Sequence, residues 1–106
     1  MPLKIALGAL LIFFMADPFK WLESKITPSN KQVTMYSTSW CGYCRKARDV
    51  FTRQGIPFRE LDIENDVQAR QAYDALNGRG VPLILIDKKQ MTGFDIRTFK
   101  RLYEQQ

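Results

Sequence analysis

The chain contains no histidine and only two cysteines, Cys41 and Cys44, among its 106 residues. Without imidazole there is no His-assisted nucleophile and no His general base, so covalent chemistry must run through other groups. Two thiols and no His are too few for a four-ligand zinc site within one chain, and no metal is expected. Two cysteines make at most one disulfide, which excludes a disulfide-dense secreted scaffold. Internal repeats and low-complexity runs are absent. Neither sign of charge dominates: 16 Lys and Arg against 11 Asp and Glu give +5. The positive residues are spread along the chain, which reads as a solvated surface with some attraction to anions, and no nucleic-acid partner is expected. What is present, 45% hydrophobic and 25% charged residues, is ordinary for one folded domain.

An uninterrupted membrane-length apolar run is also missing. Ile5 to Ala16 (IALGALLIFFMA) has no charge, but twelve helical residues span about 18 Å against a bilayer core of about 30 Å. That length suits a signal-peptide core, yet Phe14 stands where a cleavage site wants a small residue. A longer reading, residues 3–22, lets Lys4 and Lys20 snorkel and places Phe19 and Trp21 at the interface, with Asp17-Pro18 awkwardly inside. Three readings stay open: an uncleaved anchor, a cleaved signal, or a hydrophobic N-terminal helix packed on the domain or on a second copy. The expectation is a protein associated with a membrane through residues 3–22. Flanking lysines lean toward a cytoplasmic C-terminal part, whereas a signal-anchor reading places it outside, so the side is open. Thr27-Pro28-Ser29-Asn30 is a polar break and reads as a linker. Residues 1–30 are thus an anchor or signal segment with its linker, and residues 31–106 the folded domain.

Within that domain Val33 to Ser37 has strand composition. Gly42 to Gln54 carries Ala47, Val50 and Phe51 at helical spacing and stops at Gly55-Ile56-Pro57. Phe58 to Ile63 alternates as a strand. Asn65 is positioned to cap a helix through Leu76, with Val67, Ala69, Ala72, Tyr73 and Leu76 on one side. Pro82 to Ile86 reads as a strand buried on both faces. Asp87-Lys88-Lys89 turns the chain into a short edge strand, Gln90 to Thr92. Asp95 to Glu104 forms the last helix, with Ile96, Phe99, Leu102 and Tyr103 inward. The order β-α-β-α-β-β-α demands a parallel first pair with a right-handed crossover and an antiparallel last pair. The expected fold is therefore α/β, a four-stranded mixed sheet with helices on both faces.

Trp40-Cys41-Gly42-Tyr43-Cys44 lies where a strand ends and a helix begins. Residues three apart share a helix face, so these two sulfurs can close a disulfide without unwinding the turn. Cys41 at the helix tip meets unpaired N–H groups and the positive end of the helix dipole, which stabilise a thiolate. Arg45, Lys46 and Arg48 add positive charge. Cys44, one turn inside, keeps its proton longer. Cys41 is the expected nucleophile and Cys44 the resolving thiol.

From about Val33 to its end the chain resembles a glutaredoxin, of the thioredoxin-like fold. The resemblance rests on Tyr36-Ser37, Cys41-Gly42-Tyr43-Cys44, Gly80-Val81-Pro82 before an apolar strand, and Thr92-Gly93-Phe94-Asp95 before the last helix. It implies a cis Val81-Pro82 bond and glutathione as reductant. It also implies a glutathione site formed by Tyr43, Arg79, Val81, Pro82, Phe94 and Asp95, with Val81 pairing to the peptide and Asp95 meeting the γ-glutamyl ammonium. Three features depart from the pattern. Thr38 stands where many glutaredoxins have a Lys that meets a glutathione carboxylate; Arg79 is a candidate substitute or a solvated loop charge. Trp40-Cys41-Gly42 is more like thioredoxin, and Gly93-Phe94 resembles the small redoxins that reduce ribonucleotide reductase. The implied function is a glutathione-dependent thiol–disulfide oxidoreductase acting on protein disulfides or glutathionylated thiols. The alternatives are a thioredoxin-like reductant fed by a flavoprotein reductase and a dimeric iron–sulfur cluster carrier.

Overall fold

A computed structural model describes residues 25–105. The apolar run Ile5 to Ala16 and the longer span 3–22 lie outside the described residues. Among the described residues no helix is long and apolar enough to cross a membrane.

The elements are β1 (Val33–Ser37), α1 (Gly42–Arg53), β2 (Arg59–Asp62), α2 (Val67–Ala75), β3 (Leu83–Ile86), β4 (Lys89–Thr92) and α3 (Ile96–Glu104). The sheet order is β2-β1-β3-β4. β1 runs parallel to β2 and antiparallel to β3, and β3 runs antiparallel to β4. The expected thioredoxin-like, mixed four-stranded α/β fold is the one observed.

Strand alternation sorts the core into two layers. On one face Val33, Met35, Ile84 and Ile86 meet Cys44, Ala47, Val50 and Phe51 of α1 and Phe99 and Tyr103 of α3. On the other, Tyr36 and Leu83 meet Ala69 and Tyr73 of α2. Phe51 is the hub of the first layer, with Phe58, Phe94 and Phe99 rings 4.7–5.7 Å from its own.

Three details differ from the sequence reading. α2 is capped by Asp66, not Asn65: the Asp66 side chain accepts from the Gln68 and Ala69 N–H groups. Asn65 instead donates its side-chain amide to Asp62 at the end of β2. Val67, assigned to the inward side of α2, is 73% exposed, because it is the first helical residue and precedes the buried stripe. Finally, the polar stretch around Thr27 is not loose. Ile26 is buried in the first core layer, and its N–H donates to Gln54 Oε1 at 3.0 Å. Thr27 N–H donates to Glu104, and Tyr103 O–H donates to the Ser29 carbonyl. Residues 26–31 form a strap across the C-terminal ends of α1 and α3.

Candidate active site

The site begins where β1 ends. The Cys41 N–H donates to the Thr38 carbonyl at 3.5 Å, closing a turn that passes the chain from the sheet into α1. Cys41 is the N-cap of α1, extended at φ −84° and ψ 112°, and its Sγ accepts from the Cys44 N–H at 3.1 Å. A sulfur thus fills the capping role that an oxygen usually takes. Cys41 and Cys44 are joined as a disulfide with Cα atoms 5.2 Å apart, within the ordinary range. Cys41 retains 7% exposure and Cys44 none. Of the two sulfur-bearing residues, only Cys41 reaches the surface.

Arg45 and Lys46 are exposed on the first turns of α1, where their charge acts on the helix tip. Arg48 is not free to do so. Its guanidinium donates to both oxygens of Glu60 on β2, at 2.7 and 2.5 Å, and Ser37 donates to Glu60 from the end of β1 at 2.7 Å. The Arg48 hydrogen bond holds the Glu60 carboxyl below its usual range, with Ser37 helping and burial opposing. The same bond raises the Arg48 guanidinium.

Trp40 and Tyr43 flank the disulfide, 69% and 62% exposed. The Trp40 indole N–H donates to Glu64 at 2.9 Å, fixing the ring against the turn that follows β2.

A second group of residues is assembled by two hydrogen bonds. Tyr73 O–H donates to the Gly80 carbonyl at 3.1 Å, anchoring the Gly80-Val81-Pro82 loop to α2. The Gly93 N–H donates to the Pro82 carbonyl at 2.8 Å. Gly93 sits at φ +82°, a conformation open to glycine at no steric cost, and this brings Phe94 and Asp95 beside Pro82. The Val81-Pro82 bond is cis, as the resemblance implied. Val81 is half-buried and packs on the core cluster that includes both cysteines. Phe94 is buried with its ring edge-on to Phe51, so its surface contribution is backbone. Asp95 is exposed and caps α3, with Oδ2 accepting from the Thr98 N–H and hydroxyl. The Thr98 hydroxyl holds the Asp95 carboxyl below its usual range. Arg79 is exposed on the loop before Gly80.

Two features went unread in the sequence, the Trp40–Glu64 bond and the Ser37–Glu60–Arg48 network. The second had a signal: Arg48 lies one turn past Cys44 on the same helix face, and Glu60 alternates toward α1 in FRELDI. Trp40–Glu64 had none, because it joins two separate turns. Among the described residues no three His, Cys, Asp or Glu side chains come together as a metal-holding group.

A family profile described as glutaredoxin matches residues 33–91. The chain is 33% identical over 64 residues to glutaredoxin 3 of Escherichia coli (strain K12), covering 59% of this chain and 77% of that protein. It is 39% identical over 54 residues to a glutaredoxin-described protein of Mycobacterium tuberculosis, a match that covers 49% of this chain and spans 64% of the relative's own length. Among solved structures, the glutaredoxin-like NrdH-redoxin of Escherichia coli, described as having a thioredoxin-like activity profile, superposes with a TM-score of 0.62 at 20% identity. That likeness covers 71% of this chain and 99% of the other, and it shows the shared fold.

Proposed function

The chain belongs to the glutaredoxin family, and we propose that it is a glutathione-dependent thiol–disulfide oxidoreductase working through Cys41 and Cys44. The observation that carries this reading is the disulfide at the tip of α1, with one sulfur reachable and the other enclosed. In the reduced form Cys41 is the thiolate. It attacks the sulfur of a glutathionylated protein, the protein thiol leaves and takes up a proton, and Cys41 is joined to glutathione. A second glutathione, attacking as thiolate, forms glutathione disulfide and returns the Cys41 thiolate. For a protein disulfide the mixed species joins Cys41 to the protein. Cys44 then loses its proton and closes the internal disulfide, and two glutathiones reduce that disulfide afterwards.

The glutathione in this reading lies between Tyr43 and the paired loops. Val81 offers its backbone to the peptide, Pro82 backs it, the Phe94 backbone lines it and the free oxygen of Asp95 meets the γ-glutamyl ammonium. Arg79 supplies the cation that Thr38 does not. The reading includes attachment to a membrane through residues 3–22, on the strength of the apolar run there.

A second reading is favoured by Trp40, an exposed indole held by Glu64 next to Cys41, and by the missing cation at Thr38. This is a thioredoxin-like reductant recharged by a flavoprotein reductase. Kinetics with a glutathionylated peptide, with glutathione or thioredoxin reductase as the electron source, separate the two. Turnover by glutathione supports the first reading, and turnover by the reductase alone replaces it with the second.

A further inference from the structure

Tyr73 lies on the buried side of α2 and is 6% exposed. Its ring is enclosed by its neighbours. The Tyr36 ring of β1 lies 6.2 Å away, and the Arg70 guanidinium stands over the Tyr73 face, 5.7 Å from its centroid. On the loop side the ring comes so close to Gly78 that a Cβ there would overlap it. The Gly78 N–H also donates to the Tyr73 carbonyl at 3.0 Å, which holds the loop against the ring. A phenol held this way has little freedom to swing, so its O–H marks a fixed point. The loop meets that point at the Gly80 carbonyl, 3.1 Å away.

A carbonyl and the N–H that follows it belong to one planar trans unit and point in opposite directions. Fixing the Gly80 carbonyl toward α2 therefore aims the Val81 N–H away from α2. The Pro82 carbonyl is fixed as well, by the Gly93 N–H at 2.8 Å. Between these two pins the Val81 N–H and C=O make no hydrogen bond among the described residues. Val81 is half-buried, and a residue before proline favours extended backbone. An unpaired donor and acceptor on one extended residue are what an added peptide strand pairs with.

We propose that Tyr73 is a positioning residue for the thiol-peptide site: through the Gly80 carbonyl, its hydroxyl holds the Val81 N–H in line for a peptide carbonyl of the bound glutathione. The inference rests on the reading of glutathione as the peptide that pairs with Val81. Tyr73 itself touches neither the peptide nor the sulfurs.

The test uses the full-length protein and its Tyr73→Phe variant, which keeps the ring and removes the hydroxyl alone. Turnover of a glutathionylated peptide is measured against glutathione concentration. Reduction of the Cys41–Cys44 disulfide by dithiothreitol, a dithiol with no peptide group to offer Val81, is measured beside it. Tyr73→Phe should raise KM for glutathione about fivefold, the order of one neutral hydrogen bond. Its kcat should stay within about twofold of wild type, and the dithiothreitol rate should not change. Gly78→Ala crowds the ring while sparing the hydroxyl, and it should raise KM in the same direction. An unchanged KM in folded Tyr73→Phe overturns the proposal; should that variant not fold, an unchanged KM in Gly78→Ala overturns it instead. A dithiothreitol rate that falls by the same factor as turnover at low glutathione also overturns it, because the whole site is then disturbed rather than the place of the peptide. A wild type that glutathione does not reduce overturns the glutathione reading itself, and the proposal falls with it.

Discussion

Arg48 grips both carboxylate oxygens of Glu60 across the gap between α1 and β2, one helical turn beyond the buried sulfur of Cys44. The buried Ser37 hydroxyl completes the junction from β1. The helix that carries the dithiol is thus tied by charge to the two strands beneath it. Arg48 is 39% exposed, so solvent screens much of the ion pair. Glu60→Ala also strands Ser37, and the combined loss should be about 1–2 kcal/mol by urea unfolding.

The same pair sets a pH dependence. Glu60 has a lower pKa folded than unfolded. Its contribution is therefore present above the unfolded value, about 4.3, and is lost as pH falls through the folded one. Wild type should melt higher than Glu60→Gln at neutral pH, with the gap closing in acid. A gap that persists undiminished under strong acid would contradict this assignment.

The proposed roles of the two sulfurs are separable by substitution. Cys41→Ser should abolish all turnover. Cys44→Ser should keep most deglutathionylation, where a second glutathione resolves the mixed disulfide, and lose dithiol reduction of protein disulfides. Trapping Cys44→Ser with a protein disulfide should yield a stable mixed adduct through Cys41, visible by mass spectrometry.

Asp95 caps α3, and the proposed γ-glutamyl contact is a second role that one substitution separates from the first. Asparagine caps helices about as well as aspartate, but it carries no charge. Asp95→Asn should leave the melting temperature near wild type and raise KM for glutathione, while Asp95→Ala should impair both. Because Thr98 holds the Asp95 carboxyl below its usual range, its charge and the tighter KM should survive mild acid. They should fade only as pH falls through that lowered value.

Ile26 is 4% exposed in the first core layer. Ile26→Ala in the full chain should cost about 2 kcal/mol or more, as buried isoleucine truncations do. Deleting everything before Lys31 should cost at least as much, since it also removes the Thr27–Glu104 and Ser29–Tyr103 bonds.

The elements that could be read in the sequence are those whose signal is local. The apolar LILI of β3, the Cys41-Gly42-Tyr43-Cys44 spacing and the Gly93-Phe94-Asp95 entry to α3 each state their place within a few residues. The strap could not be read, because Thr27-Pro28-Ser29-Asn30 is polar and its docking depends on Gln54, Tyr103 and Glu104. The α2 cap turned on a choice between adjacent Asn65 and Asp66, both good caps. Thr38 was legible only as a missing cation; that its hydroxyl is buried is a property of the folded turn.

The strap gives the domain a handle. The chain enters beside Gln54 at the C-terminal end of α1, while Cys41 caps the other end of that twelve-residue helix, about 18 Å away at 1.5 Å per residue. Load entering the domain at Ile26 and Thr27 is therefore borne by the base of α1 and α3, with Cys41 at the opposite end of α1.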